Sequence, residues 1–230
     1  MNFSRRKPNL NFCGLSRSGN HAIILWFLNN IGEATLLGKQ TYHNTDRKFI
    51  YFNNISRAGY AGFDFSIPKY ERMFYSWEDV DLDWENTFFI GRDFLNLYAS
   101  RQKKFREEHT NSTYCTNLTE LIDLWVVHHN KPECFYYNFW VQYKWYRDIV
   151  AEKLGVPNLN DVTKNVSPIG EGSSFVGLNL DKPTNYLERY KHIKLSDDFI
   201  NVVLSHKELI KMNKEIYNID MEEKINGKKA

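Results

Sequence analysis

Gly14 and Gly19, with Ser16, Arg17 and Ser18 between them and Asn20 and His21 behind, form the most chemically pointed segment of the chain. A short apolar approach over residues 9–15 runs into this tight turn. A strongly apolar stretch follows at once, with Gly32 placed to end it as a helix. A strand-to-helix turn of this kind predicts a phosphate cradle, because the N–H groups at a helix start and the helix dipole both favour an anion. The two glycines have the spacing of a triphosphate-binding loop, yet Asn20 and His21 stand where that loop needs Lys and Ser/Thr. The segment therefore predicts a phosphorylated nucleotide as ligand and a reaction other than triphosphate hydrolysis. Arg17 is its nearest cation. The plainer alternative is an ordinary turn in which Gly and Ser supply only conformation.

A second group is Arg92 with Ser100, eight residues apart in a stretch that starts at Gly91. Asp93 is placed to cap a helix running to about Lys104, so Arg92 precedes it and Ser100 lies two turns in. That separation is on the order of 10 Å along the axis, a gap that an arginine side chain closes. A third is the Gly/Ser loop around 170–175, where Gly172, Ser173 and Ser174 allow a backbone to approach an anion closely. Glu78 and Asp79 end another apolar run at 72–77.

These groups need a frame that brings them together. Strands are expected at 9–15, 48–53, 72–77, 87–91 and 133–137. Helices are expected at 19–31, from Asp93, from Thr119, over 139–154 up to Gly155, and from Asp197 onward. Residues 57–70 and 167–177 read as loops. Short apolar strands alternating with helices predict an α/β chain, a three-layer fold with a mainly parallel central sheet flanked by helices. In such folds ligands gather at the carboxyl ends of the strands, where the loop, Glu78 and Arg92 all fall. Residues 1–219 are expected as one domain and 220–230 as a charged, disordered tail.

Composition narrows the function classes. A net charge of +2 argues against a general nucleic-acid binder, which carries a strong basic excess. Three cysteines, Cys13, Cys115 and Cys134, are too few and scattered for a disulfide framework or a zinc site. Cys13 and Cys134 lie in apolar runs and read as buried thiols, which suggests a reducing cytoplasmic setting. The longest apolar run, 22–28, is far too short to span a bilayer, and no signal-peptide stretch is visible. His128 and His129 precede Asn130 late in an expected helix and read as a helix-end feature rather than a metal pair.

Taken together, the two phosphate-binding segments resemble the sulfotransferases that use 3′-phosphoadenosine-5′-phosphosulfate (PAPS). In that family a Pro-Lys/Arg-Ser-Gly-Thr loop binds the 5′-phosphosulfate, and an Arg followed eight residues on by a Ser holds the 3′-phosphate. Arg17, Ser18, Gly19, Asn20, His21 and Ala22 lie along the first element, and Arg92 and Ser100 match the second at the family's spacing. Ser16 replaces the usual Pro and Asn20 the usual Thr. The segments 51–54, 76–79, 137–140, 146–147 and 170–175 are similar to a subset of small stand-alone bacterial, often cyanobacterial, members. The resemblance spans most of residues 10–190 and implies a P-loop-type fold.

The resemblance implies transfer of a sulfuryl group from PAPS to a hydroxyl or amine, leaving 3′-phosphoadenosine-5′-phosphate. The subset points to a small-molecule acceptor, guanidinium alkaloid toxins of the saxitoxin type among them, with no metal, nucleic acid or membrane required. Gly172, Ser173 and Ser174 become the counterpart of a late loop that closes over the 3′-phosphate. The reaction needs a base for the acceptor's proton. Glu78 is the first candidate, with Asp79 beside it; His21 is the second and His43 the third. Glu78 pairing with an arginine is the structural alternative. Two other classes stay open, a nucleotide or nucleoside kinase and a nucleotide-binding protein without catalysis.

Overall fold

The computed structural model describes residues 10–32, 35–36, 41–43, 49–52, 72–82, 84–108, 117–157 and 187–227. The strands are β1 (Leu10–Gly14), β2 (Thr35–Leu36), β3 (Thr41–His43), β4 (Phe49–Phe52), β5 (Arg72–Glu78), β6 (Thr87–Gly91) and β7 (Cys134–Tyr136). They form one sheet in the order β2-β3-β4-β5-β1-β6-β7. Every pairing from β4 across to β7 is parallel, while β2 and β3 add an antiparallel edge.

The helices are α1 (Asn20–Ile31), α2 (Phe94–Glu108), α3 (Leu118–His129), α4 (Tyr137–Gln142), α5 (Lys144–Leu154), α6 (Asp197–Ser205), α7 (Lys207–Tyr217) and α8 (Met221–Asn226). A 3₁₀ turn spans Arg189–His192. Successive β1 residues point to opposite faces, as the strand period requires. Phe12 joins an apolar cluster with Ile23, Ile24 and Phe27 of α1 and with Trp140 and Val150 of α4 and α5. Beside it, Cys13 lies 4.0 Å from His128 of α3. A second large cluster gathers Leu15 with residues of α2, α3 and α6–α8. The chain is therefore α/β, with a parallel sheet centre flanked by helices, as the alternating pattern predicts. No helix of the described residues is long and apolar enough to cross a membrane.

Two expectations fail. The helix expected over 139–154 is two helices, broken at Tyr143, whose backbone is extended (φ −118°, ψ 121°). No Gly or Pro marks the break; Tyr143 N–H still closes on Phe139 O at 2.8 Å, and Arg147 Nη1 stitches the two pieces by donating to Trp140 O at 2.7 Å. The stop at Gly155 is as expected, in the left-handed region at φ 65°. The tail expected from residue 220 instead contains α8. Its one apolar pair, Met221 and Ile225, is spaced i, i+4 and fully buried beside Leu209, while Glu222 and Glu223 face solvent. One apolar stripe suffices to dock a short helix whatever its net charge, and Asp220 caps it by accepting from Glu223 N–H at 3.1 Å. The loops expected at 57–70 and 167–177 lie outside the described residues.

Candidate functional site

The strand β1 ends at Gly14 and α1 begins at Asn20, so five residues make the turn. Ser18 N–H closes it on Leu15 O at 2.9 Å. Arg17 (φ 75°) and Gly19 (φ 101°) are both left-handed, flanking Ser18. Alternation of this sort curls a backbone into a concave nest of N–H groups. Only glycine fits position 19, for a Cβ there would overlap the ring of Tyr137 as well as meet the strain of positive φ. At Gly14 a Cβ would collide with the side chains of Asn20 and Ser18. Ser18 Oγ donates to Asn20 Oδ1 at 2.5 Å, and Asn20 Nδ2 donates to Glu78 Oε1 at 3.3 Å and to Leu15 O at 3.5 Å. Both side chains are buried, so they brace the loop from within. No side chain caps α1 at Gly19, and His21 and Ala22 occupy its first turn, half-buried.

Glu78 therefore stands at the loop, at the carboxyl end of β5 opposite Gly14. Its neighbour Asp79 is tied into a buried ion pair. Asp79 Oδ1 accepts from Arg101 Nη1 at 2.8 Å and from Ser16 N–H at 3.0 Å, with both ion-pair side chains 3% exposed. Asp79 thus has an arginine partner. His43 lies away from this group. It pairs with Ile50, which pairs with Met73, five residues upstream of Glu78. That is about 17 Å from the loop along the strands and about 14 Å across them, at the opposite end of the sheet.

The exit of β6 delivers the second group. Arg92 is 1% exposed, and its guanidinium lies 5.0 Å from the centre of the Tyr137 ring. Arg92 Nη1 donates to Ser100 Oγ at 3.4 Å and to Arg17 O at 3.3 Å, so it touches both the second group and the loop. The helix that presents Ser100 is fixed by Asp93, which accepts from Asn96 N–H at 3.0 Å as N-cap and from Asn138 Nδ2 at 2.9 Å.

Arg189, which sequence reasoning missed, completes this group. Its Nη1 donates to Ser100 Oγ at 2.9 Å from a buried position. The 3₁₀ turn carrying it is tied to α2 by Asn96, whose Nδ2 donates to Leu187 O at 2.7 Å and whose Oδ1 accepts from Tyr190 N–H at 3.3 Å. No local pattern flags an arginine 89 residues from its partner serine. Two guanidinium groups on one hydroxyl use both of its lone pairs and leave its O–H to be donated. The arrangement can bind a dianion such as a phosphate monoester.

Gly172, Ser173 and Ser174 lie outside the described residues. His128 and His129 are the buried end of α3, as their place before Asn130 suggests. His128 Nε2 donates to Val80 O at 2.7 Å. His129 Nδ1 donates to Trp125 O at 2.7 Å, and its Nε2 accepts from the Tyr217 hydroxyl at 2.7 Å. Among the described residues no group of His, Cys, Asp and Glu is arranged to hold a metal ion. Comparison with protein-family models, with curated proteins and with solved structures finds no match to this chain.

Proposed function

We propose that the protein is a PAPS-dependent sulfotransferase, with a three-layer P-loop-type fold around the sheet described above. One observation carries the reading: Arg92 bridges two anion-binding groups, donating to Arg17 O in the loop and to Ser100 Oγ beside Arg189. Two separate groups at one sheet edge suit a nucleotide with phosphates at both its 5′ and 3′ positions. A nucleoside triphosphate strings its phosphates along one loop and calls for the Lys and Ser/Thr that Asn20 and His21 replace.

In this reading Ser18, Gly19, Asn20, His21 and Ala22 offer the 5′-phosphosulfate their backbone, and Arg17 neutralises charge on the bridging oxygen as the S–O bond breaks. Arg92, Ser100 and Arg189 hold the 3′-phosphate. Gly172, Ser173 and Ser174 close over it. An acceptor hydroxyl or amine on a small molecule attacks sulfur in line, and Glu78 takes its proton, with His21 as the alternative base. Guanidinium alkaloids of the saxitoxin type are the first acceptors to screen.

The test is transfer of ³⁵S-sulfate from labelled PAPS to a panel of small hydroxyl and amine acceptors. Arg17→Ala and Arg92→Ala should each abolish transfer. Full activity in both variants, or turnover of ATP with magnesium in place of PAPS, overturns the proposal.

A further inference from the structure

Both backbone groups of Ser16 are held by charged side chains. Its N–H donates to Asp79 Oδ1 at 3.0 Å, and its C=O accepts from Arg101 Nη1 at 3.2 Å. The next carbonyl, Arg17 O, accepts from Arg92 at 3.3 Å. Side chains from the ends of β5 and β6 and from α2 thus grip three consecutive peptide units of the loop. Asp79 is itself left-handed (φ 54°), and its N–H donates to Gly14 O at 3.1 Å, which prolongs the β1–β5 ladder past the strand ends. Arg17 sits in a region that a residue with a Cβ seldom adopts, so the loop's shape depends on bonds from outside it.

Arg101 directly follows Ser100 on α2. Consecutive helix residues point about 100° apart, so one turn of α2 serves two neighbours. Ser100 faces Arg92 and Arg189, while Arg101 reaches across to Asp79 and the loop. The Asp79–Arg101 pair is buried, 3% exposed on each side chain, and removing either partner takes a neutralising charge from the other.

From this geometry we infer that Asp79 and Arg101 are a positioning pair: they fasten the anion loop to the helix that carries Ser100, so that the two anion-binding groups act on one doubly phosphorylated ligand as a unit. The inference rests on the reading of the site as a two-phosphate nucleotide site. The pair is given a positioning role, with each residue acting through Ser16.

The experiment compares wild type with Asp79→Asn, Arg101→Met and the conservative Asp79→Glu and Arg101→Lys, each checked by thermal melting. Hydrogen exchange is followed without ligand. Calorimetry then measures affinities for 5′-AMP, 3′-AMP and 3′-phosphoadenosine-5′-phosphate. In Asp79→Asn and Arg101→Met, exchange over residues 15–20 should rise roughly tenfold or more, while residues 87–91 stay protected. Affinity for 5′-AMP should fall about tenfold and that for 3′-AMP should hold within about twofold. The conservative variants should recover part of both effects and serve alone if the others do not fold. Unchanged loop exchange, or a parallel fall in 5′-AMP and 3′-AMP affinity, overturns the inference. Wild type that binds none of the nucleotides overturns the reading of the site instead, and the ligand-free exchange still decides whether the pair holds the loop.

Discussion

Arg92 and Arg189 meet at one hydroxyl: both guanidinium groups donate to Ser100 Oγ, at 3.4 and 2.9 Å, from positions that are 1% and 5% exposed. They arrive from opposite parts of the chain, one from the end of β6 and the other from the 3₁₀ turn over Arg189–His192. In the proposed reading these two arginines and the hydroxyl hold the 3′-phosphate.

Arg189→Ala should therefore weaken binding of 3′-phosphoadenosine-5′-phosphate and leave 5′-AMP nearly untouched. A hydrogen bond to a charged group contributes about 1.5–3 kcal/mol, which is roughly a ten- to hundredfold change in affinity. Calorimetric titration of both nucleotides checks it. Raising the ionic strength should narrow the difference less than it would for exposed charges, because buried pairs are poorly screened.

Gly19→Ala should disturb the loop from two directions, the strain at φ 101° and the overlap with the Tyr137 ring. The combined penalty should be about 2 kcal/mol or more. For a chain of this size that lowers Tm by roughly 4–8 °C in a thermal melt. Gly155→Ala serves as the control. It has a similar positive φ of 65° but open space around the would-be Cβ, so its penalty is conformational strain alone.

Stability should fall as pH drops below neutrality. Burial holds the His129 imidazole neutral and pushes its pKa down from an ordinary 6.5 to about 3. A trapped neutral histidine binds its proton in the unfolded chain but not in the folded one. Its contribution is thus complete above about 6.5 and is lost as pH falls toward 3. Protonation would also remove the lone pair by which Nε2 accepts from the Tyr217 hydroxyl. His128 is shifted in the same direction, chiefly by burial. Urea melts from pH 7 to pH 4 should show a decline that His129→Gln makes shallower, at a cost in stability at pH 7.

Cys13 and Cys134 should resist alkylation in the native protein. Both thiols are buried, and burial pushes the pKa of each well above the ordinary thiol range, so almost no thiolate is present at neutral pH. Iodoacetamide labelling followed by peptide mass spectrometry should modify these two positions only after denaturation.

Much of the frame was legible along the chain, because its signals are local. An apolar run followed by Gly14, Gly19 and a second apolar run already contains the turn from β1 into α1. Asp93 at the start of α2 and Gly155 at the end of α5 are read the same way. The eight-residue spacing from Arg92 to Ser100 is also local, since a helix carries one rise per residue and an arginine has a known reach. The parallel sheet follows from apolar strands separated by helices.

What the sequence alone left undecided depends on distance in space rather than along the chain. Glu78 and Asp79 are adjacent carboxylates of similar chemistry, and only packing hands Asp79 to Arg101 while Glu78 meets Asn20. The strand order sends His43 to the far end of the sheet, a fact of register that no spacing contains. The break at Tyr143 and the docking of α8 come from tertiary contacts that override composition. Arg189 joins Ser100 across 89 residues. Local propensity sets each element and its ends; long-range burial of charge and apolar surface decides which side chains meet, and here that decided the site.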